Sequence, residues 1–87
     1  MTERQAKVRE AWGKAYHEIA EFYPKDVDLV NTLRGFAPGM ADKIQQAERE
    51  AEAASVRWME GGPGGVQVAI NLWRDLWREA VELLTHG

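Results

Sequence analysis

A run of four glycines around one proline, at positions 61–65, constrains the fold more than any other feature, because neither a helix nor a strand continues through it. On both sides of this run, apolar residues recur at alternating steps of three and four, which is the spacing of one helix face. Before the run they are Met40, Ile44, Ala47, Ala51, Ala54 and Trp58, and after it they are Val66, Ile70, Trp73, Trp77, Ala80 and Leu84. The pattern predicts two long helices, over about 39–60 and 65–85, that fold back on each other at Gly62.

The two apolar stripes complement each other in size when the hairpin is folded at Gly62. Ala51 then faces Trp73 and Ala47 faces Trp77, so that small residues stand opposite large ones along the hairpin. Such layering fills a core at native density without voids. We therefore expect both indole rings to point into the core, against the alanines of the preceding helix.

The N-terminal part of the chain shows the same spacing and predicts another long helix, over residues 2–23. Thr2 is a suitable N-cap, and Pro24 disfavours helical geometry in the residue before it. The apolar face of this N-terminal helix is formed by Val8, Trp12, Ala15, Ile19 and Phe22.

A second apolar row runs along the predicted helix 65–85, displaced around its axis from the first. This helix therefore needs two neighbours, and we expect the N-terminal helix to be the second of them. The second row consists of Ala69, Leu72, Leu76 and Leu83.

Between the first two long helices, residues 26–34 have room for a helix of two turns. Asp26 or Asp28 would cap it, and Gly35 would stop it. No segment of useful length alternates with a period of two, so no sheet is expected. The predicted fold is all-α: an antiparallel three-helix bundle with a short extra helix, forming a single domain over residues 1–87.

Composition excludes several classes of function. The chain has no cysteine, which rules out disulfides, thiolate metal sites and thiol nucleophiles. Its net charge of -3 argues against broad affinity for nucleic acid or for an anionic membrane, because such binding depends on excess Lys and Arg. With no secretory signal visible and no apolar run long enough to span a membrane, we expect a cytoplasmic protein without a membrane partner.

No combination of residues indicates catalysis, a metal or a cofactor. His17 and Glu21 have the spacing of the helical zinc motif His-Glu-x-x-His, but a glutamate replaces its second histidine. The glycine run leads into Gly-Val-Gln rather than the Gly-Lys-Ser/Thr of a phosphate-binding loop, so it is interpreted as a turn. Ser55 is the single serine and has no His and Asp arrangement around it. We therefore expect a protein that is not an enzyme and holds no metal or cofactor.

Aromatic residues are the candidates for binding a partner, since four Trp and two Tyr are many for 87 residues. Tyr16 and Tyr23 lie off the main stripe of the N-terminal helix, and Trp58 lies at the end of the hairpin next to the turn. We expect these three residues to contact another protein or a second copy of this chain.

Nucleic-acid binding is the alternative function. The segments Leu-Trp-Arg-Asp and Leu-Trp-Arg-Glu at 72–79 place two Trp and two Arg one turn apart, as in a stacking platform. Neighbouring acidic residues oppose this positive charge, which makes the alternative the weaker one. Residues 26–46 also leave room for a helix-turn-helix, although its second helix offers few phosphate-binding side chains. The basic residues of this alternative are Lys7, Lys14, Arg74 and Arg78.

Overall fold

The computed structural model describes residues 2–22 and 28–86, and this part of the chain contains four α-helices and no strand. The all-α class predicted from the sequence is therefore confirmed. Tyr23 and the predicted start of the short helix at Asp26 lie outside the described residues. The helices are α1 (Glu3–Phe22), α2 (Leu29–Phe36), α3 (Pro38–Met59) and α4 (Val66–His86).

Side chains cap the first turns of α1 and α2. Thr2 Oγ1 accepts a hydrogen bond from the Gln5 backbone N–H at 3.2 Å, and Gln5 Oε1 accepts one from the Thr2 N–H at 2.9 Å. This reciprocal pair is a capping box. At the start of α2, Asp28 Oδ1 accepts a hydrogen bond from the Asn31 N–H at 3.3 Å. The predicted caps Thr2 and Asp28 are thus confirmed.

The end of α2 differs from the prediction, which placed it at Gly35. The helix continues to Phe36, and the chain leaves helical geometry at Ala37, with φ of -140° and ψ of 64°. The reason is Pro38, which begins α3. A proline suits the first position of a helix but disfavours helical geometry in the residue before it. Ala37 alone therefore separates α2 from α3.

The glycine run ends α3 and connects it to α4. The Gly61 N–H donates to the Trp58 carbonyl at 3.0 Å and the Gly62 N–H donates to the Arg57 carbonyl at 2.8 Å, which together form a Schellman motif. Gly61 has a φ of 95° and Gly65 a φ of 113°, in the region that favours glycine. The glycine run, which the sequence predicts to interrupt the helices, is thus a C-cap of α3 followed by a short connection to α4.

We predict that Gly62→Ala destabilises the fold and that Gly64→Ala does not. A Cβ atom at position 62 would lie 2.7 Å from the Arg57 carbonyl oxygen, a backbone atom that cannot move without disturbing the cap, whereas at position 64 it would meet nothing within 4 Å. Thermal or denaturant unfolding should show a loss of about 1 kcal/mol or more for Gly62→Ala. Gly64→Ala should be neutral or stabilising by up to about 1 kcal/mol. Equal effects of the two substitutions would contradict this account of the turn.

The core is formed by one face of each long helix and by Leu33 of α2. α4 has its most extensive contacts with α3 and the next most with α1, and α2 packs mainly on α3. The buried apolar residues are Val8, Ala15, Leu33, Ala41, Ile44, Ala47, Ala51, Ala54, Val66, Ile70, Trp73, Ala80 and Val81. Trp73 is 2% exposed, which confirms its predicted inward orientation, and Trp77 is half-buried in a cleft beside Ile19 of α1. The pairing of each ring with its own alanine stays a prediction.

An aromatic cluster of Trp12, Tyr16 and Trp73 joins the three long helices. The Trp73 ring centroid lies 5.1 Å from that of Trp12 and 5.3 Å from that of Tyr16, at interplanar angles of 62° and 73°. Such edge-to-face contacts are favoured between aromatic rings. Trp12 Nε1 also donates to Ser55 Oγ at 3.0 Å, and Ser55 Oγ donates to the Ala51 carbonyl at 2.7 Å. The cluster therefore ties α1 to α4 through rings and to α3 through a buried hydroxyl.

We predict that Ser55→Ala and Trp12→Phe are coupled in their effects on stability. Ser55→Ala should reduce the free energy of unfolding by about 1–2 kcal/mol, because it leaves the indole N–H of Trp12 without an acceptor. In a double-mutant cycle measured by denaturant unfolding, the two substitutions should show a coupling energy of about 1 kcal/mol. Thr85→Ala is the control, since the Thr85 hydroxyl bonds carbonyl groups within its own helix and is exposed. Additive effects of Ser55→Ala and Trp12→Phe would contradict the prediction.

Candidate protein-interaction surface

The second apolar row of α4 is not covered by α1, contrary to the prediction. α1 lies along the other side of α4, where Ile19 lines a cleft together with Trp77 and Val81. Val81 follows Leu72 by nine residues, which places the two on opposite faces of an α-helix. Leu72 accordingly remains 52% exposed and Leu83 43% exposed. The row predicted to be buried against α1 is therefore partly a surface.

An ion pair lies at the edge of the contact between α1 and α4. Arg74 Nη1 lies 3.1 Å from Glu18 Oε2, and the Arg74 side chain is 26% exposed. An arginine can bury its aliphatic stem in an interface while its guanidinium remains paired at the edge. Arg74, one of the candidate nucleic-acid contacts, therefore lies on the side of α4 that faces α1, away from the leucine row.

We call this exposed side of α4 the open face. Its exposed members are Val68, Leu72 and Leu83, and its partly buried members are Ala69 and Leu76, which also pack against the core. Val68 is 73% exposed and was not part of any predicted stripe. Large aliphatic side chains that are exposed along one helix face are typical of a surface that contacts another protein.

A groove between α3 and α4 continues the open face towards the glycine turn. Arg57, Glu50 and Ala53 of α3 line this groove together with Ala69 of α4. Glu50 Oε1 accepts a hydrogen bond from Gln46 Nε2 at 3.3 Å. The groove is therefore lined by one acid and one cation beside its small residues.

Two charged residues near the open face, one on α3 and one on α4, have no salt-bridge partner within the described part of the chain. Arg57 and Glu79 are both exposed, and neither lies within salt-bridge distance of an oppositely charged group there. Leu76, Glu79 and Leu83 follow one another by three and four residues, so Glu79 shares the side of the leucines. The open face thus carries the acid Glu79, and the groove beside it is lined by both Arg57 and Glu50.

Tyr16, one of the predicted partner-binding residues, is 54% exposed at the edge of the aromatic cluster. Partial burial is the main cause that raises the pKa of the Tyr16 hydroxyl above that of an ordinary tyrosine, and the carboxylates of Glu48 and Glu52 raise it further. A neutral hydroxyl is therefore favoured next to the acidic side of α3. Because the folded pKa exceeds the unfolded value of about 10, the stabilising contribution is complete below pH 10 and is lost as the pH rises through the folded pKa.

We predict that Glu48→Gln and Glu52→Gln each lower the pKa of Tyr16 but leave it above the ordinary value, because burial remains. Tyr23→Phe provides a background in which Tyr16 is the single tyrosine, and tyrosinate absorbance then follows its titration directly. Glu10→Gln is the control, since Glu10 pairs with Lys14 on the exposed side of α1. A Tyr16 pKa that is unchanged by both substitutions would contradict the placement of this ring beside α3.

Trp58, the second of the predicted partner-binding residues, is half-buried and covered in part by α1. The guanidinium of Arg4 lies 4.9 Å from the centroid of the Trp58 ring, and Arg4 Nη1 donates to the Trp58 carbonyl at 2.9 Å and to the Gly62 carbonyl at 3.3 Å. A cation in this position interacts favourably with the ring and with the C-terminal end of α3. Trp58 thus also has a structural role, and its contact with a partner stays a prediction. The third residue, Tyr23, lies outside the described residues.

The basic residues of the nucleic-acid alternative do not form a common surface of free charge. Lys7 Nζ lies 3.6 Å from Glu3 Oε1 and Lys14 Nζ lies 3.5 Å from Glu10 Oε1. Arg74 is paired with Glu18 and also lies 3.2 Å from Asp75 Oδ1. Arg78 is exposed and interacts with another residue. These pairs offset the positive charge that phosphate binding requires.

The histidine and the glutamate that have the spacing of the zinc motif lie on the exposed side of α1. His17 Nε2 lies 3.5 Å from Glu21 Oε1, and both side chains are exposed on α1. No group of three or more potential His, Asp or Glu ligands lies together within residues 2–22 and 28–86. None of the helices in these two ranges is both long and apolar enough to cross a membrane.

Comparisons with models of known protein families, with curated proteins and with solved structures found no match to this chain. Its function is therefore inferred from its own surface, in particular from the open face and the groove beside it. In class, the chain is an all-α protein whose long C-terminal helix is covered by other helices on only part of its circumference.

Proposed function

We propose that this chain is a non-enzymatic protein-interaction module whose docking surface is the open face of α4. The observation that carries the proposal is the exposure of Leu72 on a helix whose neighbouring face is fully packed. Full burial of an exposed leucine side chain contributes roughly 1.5–3 kcal/mol, and Leu72, which is 52% exposed, has about half of this left to gain from a docked partner. Leu83 and Val68 extend the same apolar surface along the helix.

A helical partner suits this surface. The exposed positions Val68 and Leu72 are one turn apart, and Leu76 and Leu83 continue the row, which is the spacing that a second helix packs against. The groove between α3 and α4, lined in part by the small residues Ala53 and Ala69, lets a partner backbone approach closely. We place this function in the cytoplasm, which suits a chain whose fold has no cysteine and requires no oxidising environment.

Nucleic-acid binding is not put forward as a second function. Lys7, Lys14 and Arg74 each lie near a carboxylate, so their positive charge is locally offset. Tyr16 remains a candidate for a second contact with a partner, because it combines exposure with rigid packing on Trp12 and Trp73.

The proposal predicts that a photo-crosslinking phenylalanine analogue in place of Leu72 forms discrete covalent adducts when the chain is irradiated in the cells that produce it. The same analogue in place of Glu10, which is exposed on the outer side of α1, should form none at equal expression. The masses of the adducts are read by denaturing electrophoresis and mass spectrometry. The absence of adducts at position 72 would overturn the proposal.

A further inference from the structure

We propose that Tyr16 is a site of one-electron oxidative modification, to which the tryptophans that contact it pass oxidising equivalents. The reactant is a one-electron oxidant in solution, such as a small inorganic radical, and the product is a tyrosyl radical on the surface of α1. This inference does not depend on the open face of α4. It follows from the ring contacts of the aromatic cluster and from where the protons of these rings can go.

Four aromatic rings form a continuous path that ends at Tyr16. The ring centroid of Trp77 lies 6.3 Å from that of Trp73, which lies 5.1 Å from Trp12 and 5.3 Å from Tyr16. The centroids of Trp12 and Tyr16 are 5.9 Å apart. Trp12 and Trp77 are half-buried, so an oxidant in solution reaches the path there. Because neighbouring rings are in contact, an electron removed from any of these indoles can be replaced from Tyr16.

The indole rings of Trp73 and Trp12 do not readily lose a proton after oxidation. Trp73 Nε1 is buried and has no hydrogen-bond acceptor within the described residues. Trp12 Nε1 donates to Ser55 Oγ, and that hydroxyl donates in turn to the Ala51 carbonyl, so this chain of bonds ends at a backbone oxygen, which is a very weak base. An indole radical cation formed at either ring therefore keeps its proton and remains a strong oxidant.

Tyr16 differs from these indoles because it is in contact with water. The residue is 54% exposed, so its hydroxyl proton can leave to solvent when an electron is removed. Loss of the proton together with the electron gives a neutral phenoxyl radical, which is more stable than an indole radical cation. Electron transfer from Tyr16 to an oxidised tryptophan of the path is therefore favourable, and the transfer in the opposite direction is not.

Electrons and protons balance in this sequence of steps. The oxidant takes one electron from an indole of the path and leaves a radical cation. Tyr16 returns one electron to that indole and releases its hydroxyl proton to water, which restores the indole and leaves the unpaired electron on Tyr16. Two such radicals on separate chains couple through a C–C bond between ring carbons next to the hydroxyl-bearing carbons, and the hydrogen atoms of these carbons then move to the oxygens. Each crosslink thus removes two electrons and two protons from two tyrosines.

Pulse radiolysis with the azide radical, which oxidises indole rings preferentially, tests the electron transfer. The background is Tyr23→Phe with Trp58→Phe, in which Tyr16 is the single tyrosine and the remaining tryptophans are those of the path. The absorbance of the tryptophan radical should decay as that of the tyrosyl radical rises, with one rate constant that does not change with protein concentration. A tryptophan radical that persists, or a transfer rate proportional to protein concentration, would overturn the inference.

Moving the tyrosine to the outer side of α1 provides the matched control. Tyr16→Phe with Glu10→Tyr, in the same background, keeps one exposed tyrosine, but position 10 is about 200° around the helix from Trp12 and faces away from the path. Transfer within one chain should become at least severalfold slower, while circular dichroism shows that the fold is retained. Equal transfer rates for the two positions would overturn the role of the ring contacts.

The covalent product identifies the modified residue. Steady oxidation by the same radical should link two chains through dityrosine, read by its fluorescence, by denaturing electrophoresis and by mass spectrometry of the linked peptides. Tyr23→Phe should retain most of this product and Tyr16→Phe should lose most of it. A yield that Tyr16→Phe leaves unchanged would overturn the assignment of the site to Tyr16.

Discussion

The burial of Trp73 is the interaction on which the rest of the structure depends. Its ring contacts the rings of Trp12 and Tyr16 from α1, and it lies in a helix that packs most extensively on α3. Ser55 of α3 accepts a hydrogen bond from Trp12, which ties the ring cluster to α3. Because one ring engages α1 while its helix engages α3, the position of each long helix is set relative to the other two.

This arrangement also determines what remains exposed. α1 reaches Trp73 from the side of α4 that carries Arg74 and Val81, where Arg74 is paired with Glu18. A helix can be covered on only part of its circumference by two neighbours, so the leucine row on the remaining side faces water. The candidate interaction surface is thus a consequence of how the core is built.

Much of the fold could be predicted from the sequence, because it follows from local patterns. Apolar spacing located the long helices, Thr2 and Asp28 were recognised as caps, and the glycines marked the turn. The side of α4 that α1 occupies could not be predicted, since α4 carries two apolar rows and hydrophobic spacing does not show which neighbour covers which row. The contact of Arg4 with Trp58 could not be predicted either, because the two residues are 54 positions apart in the sequence. The sequence shows the second row of leucines, but only the packed structure shows that this row is partly exposed.

The bonds from Arg4 to the end of α3 bear on how the chain assembles. α3 and α4 are joined by a short turn, so their mutual contacts close only small loops, and they form the local part of the fold. Arg4 and Gly62 are 58 positions apart in the sequence, so the hydrogen bond between them closes a long loop and loses more chain entropy than a local contact does. Because Arg4 belongs to α1, the carbonyls at the tip of the hairpin acquire their guanidinium partner only when α1 docks.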